Sequence, residues 1–291
     1  MNILSILYHK MYTNPIFFKI NCFLVRKGIE KEIAYYFFSR KYENDNTTNM
    51  TSLDFFQNKK SSIDSNLMML SDEKSRDIYL ALIEYRIKKL PLKKNIYSLM
   101  DQYFVDDFLN INDGEVFVDC GAFVGDTINN FLVVAKKKHI KIKKIIALEP
   151  EHENFNLLSN YFSKDKRIIM IEAGVSDCKK SVYLTGESAY ARTTQEATGT
   201  DQIELVPIDG IKECSDATYI KMDIEGAELD ALRGAAETIR RNKPKLAICI
   251  YHSNADYLDI IPYVKELNQD YKLFVRHHSR SISETVLYAI P

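Results

Sequence analysis

The chain has 291 residues, 46% of them hydrophobic, with 39 lysines and arginines against 40 acidic residues. That length holds one large or two small domains with a buried core, and the near-neutral balance gives no overall field that would draw nucleic acid or an anionic membrane. Five scattered cysteines (Cys22, Cys120, Cys178, Cys214 and Cys249) form no Cys-x-x-Cys pair, so reduced, unliganded thiols are expected. Polar residues break the N-terminal apolar runs well short of a span of ~20 residues and no secretory pattern follows, so the expectation is a cytoplasmic protein with no integral membrane span.

Residues 1–109 read as a helical N-terminal region. Ile29, Ile33, Phe37 and Arg40 fall at helical spacing between Gly28 and Tyr42, which predicts a helix whose apolar face packs either on the main domain or, as a homo-oligomer contact, on a second copy. Residues 44–52 are polar and without period, as in an exposed loop. Ser71 is expected to cap the clearest helix, with Asp72 and Glu73 in its first turn, Ile78, Leu82 and Tyr85 along one stripe, and Leu90-Pro91 as the stop. The domain boundary is placed near 110–114, leaving 110–291 as the second domain.

From Val116 onward strands and helices alternate, which argues for a parallel sheet with helices on both faces. Val116 to Thr127 reads as strand, tight turn and helix start, with glycines at 121 and 125. Glycine lacks a Cβ and tolerates positive φ, so backbone N–H groups can approach a ligand there, at a helix N-terminus that favours negative charge. The pattern Asp-x-Gly-x-x-x-Gly is neither the dinucleotide fingerprint nor a phosphate loop, which weakens NAD and ATP as ligands. Asp119, beside the first glycine, suits a ligand carrying an ammonium group.

The lysines from Lys136 to Lys144 are expected to be a solvated edge, because Ile140 and Ile142 alternate into the next strand. That strand ends in Glu149-Pro150, where an acid in a doubly wound fold reaches ribose hydroxyls. A third strand, 167–172, leads to Ala173 and Gly174, small residues that would leave room for a flat base. Residues 186–202 read as a polar lid or substrate loop.

A fourth strand runs into Asp223, Glu225 and Glu228. Of these Glu228 is expected only to stabilise the following helix, whereas Asp223 and Glu225 lie where ligands of open α/β sheets bind. The fifth strand ends at His252. Neighbouring strands lie ~4.8 Å apart, so adjacency of the fourth and fifth would bring His252 to those carboxylates as a candidate general base, with a carboxylate as second choice; the spacing assigns no metal ligands, though Asp223, Glu225 and a substrate diol offer the hard oxygens that suit magnesium.

With these residues assembled, the chain resembles the FkbM family of S-adenosylmethionine-dependent methyltransferases. The matching stretches are Phe117 to Thr127, Ala147 to Pro150, Tyr219 to Glu228, Pro244 to His252 and Thr285 to Ala289, and Lys-Met-Asp-Ile-Glu-Gly-Ala-Glu is the most specific string. The resemblance implies a class I methyltransferase fold, Rossmann-like, with seven strands and the last inserted antiparallel. It also implies methylation of an oxygen, commonly a hydroxyl of a sugar or secondary metabolite. Asp119, Gly121 and Gly125 fall on its cofactor loop and Glu149 on its ribose-binding acid; Phe123 and Thr127 in the loop, with Ala173 and Gly174, complete the expected S-adenosyl-L-methionine set. His252, Asp223 and Glu225 form the expected catalytic group, and the acceptor is expected to be a small molecule or glycan. A non-catalytic nucleoside- or glycan-binding scaffold on the same fold is the competing reading.

Overall fold

In the computed structural model, residues 14–26, 50–185, 192–194 and 201–291 are described. The expected helix between Gly28 and Tyr42 and most of the expected lid lie outside them. The central strand β1 (Glu115–Cys120) is buried along its whole length. Its valines and phenylalanine fit a strand covered on both faces. It leads to helix α5 (Asp126–Lys137) and then to β2 (Ile142–Leu148), α6 (His152–Phe162) and β3 (Ile168–Ile171). Farther along come β8 (Tyr219–Met222), α7 (Glu228–Arg233), α8 (Ala236–Asn242), β9 (Lys245–Cys249), α9 (Asn254–Leu267), β10 (Lys272–His277) and β11 (Thr285–Ile290).

These seven strands make one sheet in the order β10-β11-β9-β8-β1-β2-β3. β1 pairs in parallel with β2 and β8, β8 with β9, and β11 runs antiparallel to both β9 and β10. This is the class I methyltransferase order with its single reversed strand. The direction of winding changes at β1, which opens a crevice at the carboxyl ends of β1 and β8.

A second, four-stranded sheet was not foreseen. It comprises β4 (Gly174–Val175), β5 (Lys180–Thr185), β6 (Arg192–Thr194) and β7 (Asp201–Val206), in the order β4-β7-β5-β6. The described parts of the expected lid are thereby strand: the backbone of 192–194, in its middle, pairs with β5, and its end belongs to β7, which begins at Asp201.

The N-terminal helices α1 (Pro15–Arg26), α2 (Met50–Gln57), α3 (Lys60–Met69) and α4 (Glu73–Lys88) precede the sheet. Asp72, not Ser71, caps α4 by accepting from the Ser75 N–H at 2.8 Å. Ser71 instead extends the sheet edge: its N–H donates to Leu273 O, and its Oγ accepts from Leu273 N. Ile78, Tyr79 and Leu82 of α4 share a core with Ile146, Ile220 and Leu246 of the sheet. Buried Asn66 donates to Tyr79 Oη and to the carbonyls of Tyr257 and Leu258, which ties α3 and α4 to α9 through satisfied polar groups.

The lysine run behaves as a solvated edge. Lys138 pairs with Asp106, and Lys143 and Lys144 pair with Asp216, all at the surface. The five cysteines are free, four of them buried. Among the described residues, no helix is long and apolar enough to cross a membrane.

Candidate functional site

The turn after β1 is built by close approach. Gly121 has φ +77°, and a Cβ on it would stand 2.0 Å from the Asp223 carbonyl oxygen. Gly125 has φ +89°, and a Cβ there would meet the Phe162 ring at 2.3 Å. Both glycines are therefore required by the packing of β8 and α6 against the turn. The N–H groups of Gly121 and Ala122 donate to Leu148 O, which binds the turn to the end of β2.

Asp119 does meet a cation, but one supplied by the chain. It is register partner of Lys221 across β1 and β8, and Lys221 Nζ lies 3.0 Å from its Oδ1, with both side chains buried. Lys221 also donates to Gly121 O at 2.8 Å and to Cys120 O at 3.3 Å. Burial pushes the Asp119 carboxyl up to about 6 against the pull of Lys221. For Lys221 burial works the other way, yet Asp119 and Asp223 outweigh it and hold the ammonium above its ordinary range. Direct contact between Asp119 and a ligand's ammonium is thus not what the geometry offers; the pair pins the turn from beneath.

Glu149 is held at the end of β2, 6% exposed. Its Oε2 accepts from Phe123 N at 2.8 Å and its Oε1 from Glu151 N at 3.0 Å. Phe123 reaches it from a left-handed backbone, φ +49°. Each oxygen keeps a further lone pair, so the carboxylate fits a vicinal diol while staying locked to the glycine turn. Burial, opposed by those two N–H bonds, pushes Glu149 up to about 7. Thr127 is buried in the first turn of α5. Ala173 is buried beside β4, and the space at Gly174 is filled: a Cβ there would meet Leu205 at 2.5 Å, so its smallness serves the second sheet instead of a flat base.

Adjacent β8 and β9 bring the expected catalytic residues together. His252 Nε2 lies 3.4 Å from Asp223 Oδ1 and 3.7 Å from Glu225 Oε2. Glu228, expected only to serve its helix, is fully buried 3.0 Å from His252 Nδ1 and also accepts from Ile224 N. Burial works against a charged imidazole, but Asp223 and Glu228 outweigh it and push His252 up to about 11. A histidine that already carries its proton is no free base, which leaves the neighbouring carboxylates as the second candidates named from the sequence. Asp223 is raised by burial, but His252 and Lys221 bring it below its ordinary value. Glu225 is the most open of the group at 33% side-chain exposure and sits at φ +58°, a strained backbone for a residue of its size.

Two tyrosines escaped sequence reasoning. Tyr103 Oη donates to Asp223 Oδ2 at 2.8 Å and Tyr251 Oη to Asp223 Oδ1 at 3.1 Å. Tyr251 sits inside the stretch Pro244 to His252 beside the more conspicuous histidine, whereas Tyr103 carries no motif and only the fold brings it here. Asp223, Glu228 and His252 also place one ligand atom each within 4.8 Å of one another, a group that could hold a metal ion, with Glu228 in the place the sequence reading gave to Glu225.

The methyltransferase FkbM domain model matches residues 119–273, just over half of the chain. Among solved structures, the FkbM methyltransferase of Methylobacillus flagellatus KT is similar at 28% identity and a TM-score of 0.69, over 81% of this chain and 60% of that one. The chain therefore spans about three fifths of that relative's length. An rRNA methylase from Streptococcus thermophilus is 16% identical over 62% of this chain and 87% of its own, with a TM-score of 0.38. Aeropyrum pernix fibrillarin, solved with S-adenosyl-L-methionine natively bound, is 11% identical over 62% and 69%, with a TM-score of 0.36. No curated protein matches closely enough to be called a relative. The family match falls on the glycine turn, on Glu149 and on the strand ends that carry Asp223 and His252, and on that ground the chain belongs to the FkbM methyltransferase family.

Proposed function

We propose that this protein is an S-adenosylmethionine-dependent O-methyltransferase whose acceptor is a hydroxyl of a sugar or glycan precursor. The observation that carries the reading is the juxtaposition, at one sheet edge, of a locked diol-type acceptor, Glu149, with a half-open group of acids and an imidazole, Asp223, Glu225 and His252. Bound there, S-adenosylmethionine supplies a methyl group already activated on a sulfonium. What the chain adds is alignment of the acceptor oxygen and removal of its proton.

Glu149 holds the ribose diol, and its grip on Phe123 N couples that contact to the turn from Gly121 to Gly125. Asp119 and Lys221 act from below, keeping the carbonyls of Cys120 and Gly121 turned inward. Glu225, the most exposed acid, takes the hydroxyl proton, while Asp223, fixed by two phenols, and His252 hold it in position. Reduced cysteines fit a cytoplasmic setting.

Calorimetric titration with S-adenosylmethionine, followed by methyl transfer to a panel of free sugars and glycan precursors, tests the reading. One-to-one binding with transfer to a hydroxyl is expected. Binding without turnover across the panel would favour the scaffold reading, which the N-terminal helices packed on the sheet give some ground. Absence of binding would remove both the cofactor and the reaction.

A further inference from the structure

We infer that the segment before the family match completes the catalytic group, with Tyr103 acting as a positioning residue through Asp223. The inference rests on the methyltransferase reading for its consequence, though not for its geometry. Tyr103 lies 16 residues ahead of the matched region, which begins at residue 119. It is nevertheless buried, with its hydroxyl 2.8 Å from Asp223 Oδ2 and 3.4 Å from Cys249 Sγ. Its ring lies 5.4 Å from Lys221 Nζ, so one side chain meets both the buried ammonium of β8 and the carboxylate that follows that strand.

The backbone of Tyr103 is equally constrained. Its φ is +67°, a left-handed value that an aromatic residue rarely adopts, and Asp101 two residues earlier has φ +62°. Such strain persists only where surrounding contacts determine it. Here the Tyr103 N–H donates to Tyr288 Oη at 3.1 Å, and its carbonyl accepts from the Tyr219 hydroxyl. Two core phenols thus hold the strained backbone, and its own phenol is delivered to Asp223. A tyrosine needed only to fill the core would not require its hydroxyl to end on a carboxylate at the site.

Burial first, and then the charge of Asp223, keep the Tyr103 phenol well above its ordinary range, so it remains a donor. Tyr251 donates to the other oxygen of the same carboxylate, which is then oriented from two sides. A second N-terminal residue reinforces this side: buried Arg86 of α4 donates to Tyr251 O at 2.5 Å and to Asn254 Oδ1 at 2.9 Å, and lies over the Tyr257 ring. The turn carrying Tyr251 and His252 is therefore also tethered from outside the matched region.

Tyr103→Phe in the full chain tests the inference, because it keeps the ring and removes only the hydroxyl. The expected result is a fall in kcat on the order of tenfold or more, with KM for S-adenosylmethionine and for the acceptor within about twofold and an unchanged melting curve. Turnover equal to that of the unaltered protein would overturn it, as would a loss confined to KM. A second measurement needs no turnover: the 13Cζ resonance of Tyr103, assigned by its loss in Tyr103→Phe, should shift in Asp223→Asn. A resonance that stays in place would show that the hydrogen bond is absent, whatever the reaction proves to be. If it shifts while the unaltered protein methylates nothing, the clamp stands and only the proposed reaction falls.

Discussion

Two groups of buried charge lie within one sheet edge of each other and have opposite characters. Asp119 and Lys221 are almost wholly enclosed and paired in register across β1 and β8, with the Lys221 ammonium also donating to the chain's own carbonyls. Around His252 the acids are graded instead, from Glu228, fully buried, through Asp223 at 24% side-chain exposure to Glu225 at 33%. A closed pair can only hold structure, whereas a graded group has one end fixed in the core and the other open to a substrate. The acid closest to the glycine motif is therefore enclosed with its own counter-charge, and the proposed chemistry lies one strand over.

Breaking the closed pair should have the largest effect. Lys221→Met leaves Asp119 buried without its partner, and a loss of about 3–5 kcal/mol in denaturant unfolding is expected. Asp119→Asn combined with Lys221→Met should recover most of it, since no uncompensated charge remains; a double variant as weak as the single would show that the pair is not the cause. In the graded group the loss should appear in rate rather than stability. Glu225→Gln is expected to lower kcat on the order of 10²-fold with unfolding unchanged within about 0.5 kcal/mol, checked by steady-state kinetics beside a melt.

Glu149 stands between the two groups in burial and sharpens the contrast through pH. Burial raises its carboxyl to about 7 from the ordinary 4.5 of a glutamate, so the folded protein binds a proton in that window that the unfolded chain has released. Stability from this group is full below about 4.5 and is lost as pH rises through about 7, amounting to roughly 2–4 kcal/mol. Asp119, raised to about 6, adds a decline of the same sign. Glu149→Gln should flatten the upper part of this decline in melts taken across the window and weaken S-adenosylmethionine binding roughly tenfold to hundredfold. An unchanged profile would mean that Glu149 is not the titrating group.

Two smaller effects complete the series. Excess EDTA should leave turnover within about twofold, because His252 already supplies the positive charge between Asp223 and Glu228; a complete loss restored by magnesium would put a metal ion there instead. Lys143→Ala removes an exposed partner of Asp216 and should change unfolding by less than about 0.5 kcal/mol, which separates surface pairs from the closed one.

The alternation of strands and helices was legible from the apolar runs, whereas the seven-stranded sheet with its reversed strand was implied by the resemblance to the family. The meeting of His252 with Asp223 and Glu225 followed from the adjacency of β8 and β9. Lys221 was not, since a lysine in a short strand reads as outward-facing until the register of Asp119 against it is known. Tyr103 sits in an irregular segment, and its approach to Asp223 spans 120 residues of chain. Periodicity says nothing at that range. The second sheet was missed for another reason: its strands are short and partly polar, β4 being two residues long, and the polar stretch they flank reads as loop.

The central claim is the place of the cofactor. A crystal structure with S-adenosylhomocysteine bound would test it most directly: the account predicts the ribose diol within hydrogen-bond reach of Glu149 and the sulfur on the side facing Glu225 and His252. A nucleoside lying away from Glu149, or a Glu149 that keeps only its bonds to Phe123 and Glu151, would contradict it.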